Sequence, residues 1–177
     1  MDKVVFSILV DNISGVLSRI SGLFSRRGYN IDSLTVGVTA DPRYSRITVV
    51  AKGDESILDQ IEKQLKKLVD VIDIKRLQPD TSICRELVLV KLKANVEERQ
   101  AVFSMVNVFR AKVVDVSRES VMVELIGNHS KINAFIDLLE GYEILELART
   151  GVTGLSRGTF DVKMYDEEGN LIDYGFQ

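Results

Sequence analysis

The chain has 177 residues, 45% apolar and 28% charged, which is the balance of a globular protein of one ordinary domain or two very small ones. A formal charge of -3 argues against the basic footprint that a nucleic-acid backbone requires, so no nucleic-acid partner is expected. Cys84 is the only cysteine, which rules out an internal disulfide and a multi-cysteine zinc cluster and fits a reducing cytoplasm; the first apolar run stops at Asp11, too short for an export signal or a membrane span.

Val4, Phe6, Ile8 and Val10 alternate with Val5, Ser7 and Leu9, which predicts a strand covered on both faces. After Asp11-Asn12 the residues Val16, Leu17, Ile20, Leu23 and Phe24 recur at helical spacing, and Gly28 stands where a left-handed C-cap belongs. Two β-rich stretches, 31–38 and 46–52, flank the turn chemistry of Asp41-Pro42-Arg43-Tyr44 and predict a hairpin. Ile57, Leu58, Ile61, Leu65 and Leu68 form the stripe of a second helix, and 69–74 closes the unit as a strand. The order strand, helix, strand, strand, helix, strand is that of the ferredoxin-like motif.

After a proline-bearing break the same order returns. Strands are expected at 87–93, 113–116, 121–126 and 144–148, and helical stripes at Val102, Met105, Val106 and Phe109 and at Ile132, Phe135, Ile136 and Leu139. The fold class is therefore α+β, two tandem ferredoxin-like (βαββαβ) domains. Residues 1–78 and 86–150 are the domains, 79–85 a linker, and 151–177 a C-terminal tail with a hairpin expected around 166–170. Halves this small bury a modest share of their surface, and sheets of this kind leave one face and two edges without helices, so at least a homodimer is expected.

One constellation has chemistry in it. Asp11-Asn12-Ile13-Ser14-Gly15-Val16 leads from the first strand into the first helix, where unpaired backbone N–H groups favour an anion. Gly15 leaves the backbone approachable, and the Asn12 amide can both donate and accept, which suits an α-amino acid. The residues allow an alternative as well, with Asn12 or Ser14 a simple helix cap and Gly15 a tight-turn residue.

The stretches DNISGVLSRISGLFSRRGYNIDSLTV (11–36), DPRYSRITVV (41–50), IEKQLKKLVDV (61–71) and RTGVTGLSRG (149–158) closely resemble the regulatory (small) subunits of acetolactate synthase. That resemblance implies that the first domain is an ACT domain and forms the homodimer. It implies that the chain is no enzyme by itself but activates a large catalytic subunit in valine, isoleucine and leucine biosynthesis. Feedback inhibition by a branched-chain amino acid, usually valine, would then be conferred on that subunit. Thiamine diphosphate, magnesium and FAD would belong to the large subunit, with no cofactor or metal on this chain. The effector residues implied are Asn12, Ile13, Ser14, Gly15 and Val16 of the loop, with Asn30 and Ile31 opening the second strand and reaching the ligand across the dimer interface. A free-standing ACT-domain sensor acting on a different metabolic enzyme is the alternative.

The matching loop of the second half, Lys93 to Glu98, has no glycine and adds two carboxylates, so only the first domain is expected to bind the effector. His129, the sole histidine, is read as a solvated turn residue, and Cys84 as an incidental thiol. Gly151, Gly154 and Gly158 lack the Lys-Ser/Thr of a phosphate loop and mark a backbone-dominated junction, a regulatory or docking segment by the resemblance. No carboxylate is paired with a nucleophile in a catalytic pattern.

Overall fold

The computed structural model describes residues 2–159, 164–166, 168 and 170–172. The first half runs β1 (Asp2–Asp11), α1 (Val16–Arg27), β2 (Asn30–Val38), β3 (Tyr44–Gly53), α2 (Glu55–Leu65) and β4 (Val71–Leu77). The second repeats the order as β5 (Ser82–Lys93), α3 (Arg99–Phe109), β6 (Lys112–Val116), β7 (Ser120–Gly127), α4 (His129–Leu138) and β8 (Ile144–Arg149). Short strands β9 (Thr153–Ser156), β10 (Met164–Tyr165) and β11 (Leu171–Ile172) follow. The chain is α+β, with antiparallel sheets ordered β2-β3-β1-β4 and β6-β7-β5-β8, so each half is a ferredoxin-like domain.

Local chemistry sets the element ends. Gly28 adopts φ 66°, and the Tyr29 amide reaches back to the Phe24 carbonyl at 3.0 Å, closing α1 as its glycine requires. Asp54 caps α2 by accepting the Ile57 amide at 2.9 Å. The apolar stripes then meet the sheet: Phe6, Ile8 and Val10 of β1 and Ile47, Val49 and Ala51 of β3 pack against Ile20 and Phe24 of α1 and Leu58 and Ile61 of α2. Truncating a ring such as Phe6 or Phe24 to alanine in a core of this density costs on the order of 3–5 kcal/mol. The second half has its own core around Val88, Val90, Val121, Val123, Ile132 and Phe135.

The structure departs from the sequence reading in three places and bears it out in a fourth. Strand β4 starts at Val71 instead of Val69, which is 90% exposed in a turn closed by the Val71 amide on the Leu68 carbonyl. Residues 82–85, expected in the linker, are the first residues of β5 and pair with 153–156 of the expected tail. His129 begins α4, with Asn128 as its cap, so it is a helical residue although it is exposed. The expected hairpin at 166–170 is present as the β10–β11 pair, with the Asp166 amide on the Asn170 carbonyl at 3.0 Å.

On the helix-free face of the first sheet Ser7, Leu9, Thr48 and Val50 are nevertheless buried. Part of the cover comes from residues 151–156: Gly154 sits so close to Leu77 that a Cβ there would stand 2.7 Å from Cδ1, and Val152 bonds to β2. No described helix is long and apolar enough to cross a membrane.

Candidate functional site

Asn12 to Gly15 lie exposed between β1 and α1, with Ile13 at 59% exposure. Val16 is 4% exposed and its side chain belongs to the core, so it can offer a ligand only its backbone. The Asn12 amide is already committed on both sides: Nδ2 donates to the Pro42 carbonyl at 2.9 Å, and Oδ1 accepts from Ser45 Oγ at 3.0 Å. Its backbone N–H donates to the Arg43 carbonyl at 2.7 Å. Asn12 thus pins the loop to the β2–β3 turn, and one amide hydrogen and one lone pair remain for anything else.

The N-cap is Gly15, at φ 88° and ψ -13°, and neither Asn12 nor Ser14 fills that position. Gly15 has no side chain with which to cap, and the first turn of α1 contains no acidic residue. The helix start therefore keeps its positive end uncompensated by its own sequence. Arg19 stands one turn further, its charge paired with Asp70. Its Nη1 lies 2.9 Å from where a Gly15 Cβ would be, and its Nε donates to Asp70 Oδ2 at 2.6 Å. That hydrogen bond holds the Arg19 guanidinium above its already high ordinary pKa. Sequence reasoning missed Arg19, although its spacing of four from Gly15 places it on the same helix face.

The corresponding loop of the second half is closed on itself. Asn95 Oδ1 accepts the amides of Glu97 and Glu98 at 2.8 and 3.0 Å, and Glu98 Oε2 accepts the Asn95 amide at 2.9 Å. Three amides of that loop are consumed there, beside two carboxylates, although α3, like α1, has no side-chain cap and no acid in its first turn.

Asn30 is exposed at the start of β2, with Nδ2 on Asp32 Oδ1 at 3.1 Å, and Ile31 is half-buried against the first core. Within one chain the structure does not bring these residues to the loop. Asn30 pairs with Lys52, and Lys52 with Lys3, at one end of the sheet; Asp11 pairs with Tyr44 at the other. Eight strand steps at ~3.3 Å each separate the two ends by roughly 26 Å. Any site using both must take them from two molecules.

Clefts lie elsewhere. One of about 620 Å³ opens between the halves beside Lys3, Asp32, Glu86, His129, Arg149 and Gly151, and includes none of the residues from Asn12 to Val16, nor Asn30. Both of its carboxylates are paired with cations within the protein. Burial pushes the Asp32 carboxyl up, but Lys3 and Lys52 at 2.9 and 3.2 Å outweigh it and hold it below the usual carboxylate range. Glu86, 4% exposed, is held low by the bidentate Arg149 guanidinium at 2.7 and 2.8 Å and by the Gly151 amide. Cys84 is half-buried, and burial pushes its thiol up, away from nucleophilic use. Among the described residues no group of three or more His, Cys, Asp or Glu side chains is placed to hold a metal ion.

Residues 6–73 match the family model described as the AHAS small subunit-like ACT domain, and residues 85–158 match the one described as the small subunit of acetolactate synthase. A probable acetolactate synthase small subunit of Methanothermobacter thermautotrophicus is 46% identical over 89% of this chain and 95% of its own length. The small subunit of acetolactate synthase isozyme 3 of Escherichia coli is 46% identical over 87% of this chain and 95% of its own. The crystal structure of the acetolactate synthase small subunit of Thermotoga maritima superposes with a TM-score of 0.83 at 40% identity, covering 89% of this chain and 99% of that one.

Proposed function

This chain belongs to the acetolactate synthase small-subunit family, and on that premise we propose that it is the non-catalytic partner of a large subunit and imposes feedback inhibition on it. The effector is a branched-chain amino acid, valine foremost, bound where two ACT domains meet. Condensation of pyruvate to acetolactate, with thiamine diphosphate, magnesium and FAD, is the work of the large subunit.

The observation that carries the effector site is the contrast between the two loops: an open backbone at Gly15 beside Arg19, against an Asn95–Glu98 loop whose own side chains accept three of its amides. An anion at such a terminus gains ~0.3–1 kcal/mol when exposed and up to ~2 when partly buried, and a second protomer supplies the burial. Exposed Ile13 and Leu17 flank the loop and provide apolar surface for an aliphatic side chain.

Edge strand β2 supplies the route to a dimer. Among the described residues it pairs only with β3, and Val36 and Val38 on it are exposed. Antiparallel pairing of two copies of β2 sets Asn30 of one near Val38 of the other, and Val38 lies beside Ser45 and Val10 at the loop end of its own sheet. A two-fold arrangement thus closes the roughly 26 Å gap that a single chain leaves.

Inhibition requires that valine bind one arrangement of the dimer better than another, and a coupling of ~1–3 kcal/mol gives ~5–150-fold regulation. The direct test is calorimetric titration of the protein with valine, isoleucine and leucine, alone and with a large subunit. Saturable binding by the protein alone, with matching inhibition of the mixture, is expected. No binding of any of the three rejects the reading.

A further inference from the structure

Past β8 the chain crosses from the second half to the first as a short strap. Its root is fixed on β5: Arg149 is bidentate on the buried carboxylate of Glu86, the Thr150 amide donates to the Leu87 carbonyl at 3.0 Å, and Thr150 Oγ1 accepts the Leu87 amide at 3.1 Å. Its crest is gripped by β2. Ser33 Oγ accepts the Val152 amide at 2.8 Å, and Thr35 Oγ1 donates to the Val152 carbonyl at 3.0 Å. Ser33 and Thr35 are alternate residues, so both hydroxyls leave the same face of β2 and hold the N–H and the C=O of one residue, in the two peptide units that flank it.

Gly151 makes this approach possible. It sits at φ 85°, and a Cβ there would come within 2.5 Å of Ser33 Oγ. Beyond Val152 the chain becomes β9 and returns to β5 by pairing with Ser82–Arg85. Clefts of about 620 and 450 Å³ open on the two sides of the strap, and both are lined by Thr150 and Gly151. The strap is therefore a narrow bridge bounded by solvent space, with one end rigid on β5 and its crest tied to the edge strand that Asn30 opens.

We propose that residues 149–153 carry the effector signal from β2 into the second half, with Ser33 and Thr35 as the positioning residues that couple them. This rests on the effector reading above and names how that site regulates. When valine draws Asn30 and β2 toward the partner's loop, the two hydroxyls move the Val152 peptide with the strand. Because Thr150 and Arg149 are fixed on β5, the displacement appears as a shift of the second half relative to the first.

The test uses the full chain with a large subunit and valine as the probe. In the Ser33→Ala, Thr35→Val double variant, valine affinity by calorimetry stays within ~3-fold of wild type while maximal inhibition of the mixture falls by ~5-fold or more, the low end of ordinary coupling factors. Gly151→Ala, which forces the strap off Ser33, gives the same separation from the other side. Hydrogen exchange at the Val152 amide responds to valine in the wild type and not in the double variant. Thr35→Val alone preserves volume and serves if the double variant melts early. Wild-type inhibition in variants that fold, or loss of valine binding together with inhibition, overturns the coupling role. A wild-type protein that binds no valine overturns the effector reading itself, which is a separate result.

Discussion

A Cβ on Gly15 would stand 2.9 Å from Nη1 of Arg19, one turn along α1, and Arg19 is itself tied to Asp70 just ahead of β4. Any side chain at Gly15 must therefore displace a held guanidinium and also accept a left-handed backbone, which costs a non-glycine residue ~1–2 kcal/mol. Gly15→Asp adds a carboxylate at the place where the ligand's own would sit. Inhibition of the reconstituted enzyme by valine is expected to disappear while activation of the large subunit persists. Unchanged inhibition removes the loop from the site.

Asn30 has one resolved partner, the neighbouring Asp32 at 3.1 Å, and its side chain is exposed, so Asn30→Ala should leave the melting temperature almost unmoved. If Asn30 contacts the zwitterion, the same change weakens valine binding by ~1–2 kcal/mol, about 5–30-fold, in calorimetry. Wild-type affinity excludes it.

Ser45 is buried and its hydroxyl donates to Asn12 Oδ1 at 3.0 Å. Ser45→Ala loosens the loop without touching a ligand. A loss of ~1 kcal/mol of stability in urea is expected, with weaker valine binding as the loop wanders. Stability loss with unaltered binding would show that the pin between Asn12 and the β2–β3 turn does not shape the site.

The Glu86 carboxyl lies below its ordinary range because Arg149 and the Gly151 amide hold the charged form. Its contribution to stability is complete above the unfolded value of ~4.3 and is lost as pH falls through the depressed folded value. Glu86→Gln should cost ~1–2 kcal/mol at neutral pH, discounted because the guanidinium is partly exposed. The gap between variant and wild type in urea midpoint should hold above about pH 5 and narrow below about pH 4. A gap that does not depend on pH would mean the pair contributes little as an ion pair.

The repeat and most elements were legible because periodicity reports which face of a segment is buried. The stripe from Val16 to Phe24, the glycine at 28 and the turn at 41–44 each state a local requirement that the fold then honours. What the sequence hid was nonlocal. Ser82–Arg85 looks like a linker because its pairing partner, Thr153–Ser156, lies some seventy residues away and the faces these segments bury, at Ser82 and Gly154, are not apolar. The strap was visible only as an excess of glycine, and its purpose depends on Ser33 and Thr35, ordinary strand residues until Val152 is placed between them. At the candidate site, Gly15 was legible as a backbone requirement. The commitment of the Asn12 amide to Pro42 and Ser45 was not, since it arises from a turn thirty residues on.

The most direct measurement mixes two defective chains. Gly15→Asp and Asn30→Ala proteins, each unable to bind valine tightly alone, are combined under conditions that exchange protomers and then titrated calorimetrically. If each site takes its loop from one protomer and Asn30 from the other, every mixed dimer regains one intact site, and about one quarter of all sites recover wild-type affinity at equal mixing. No recovery in a mixture whose exchange is verified by mass would place both residues in one protomer's site or in none, and would contradict an effector site shared across the dimer.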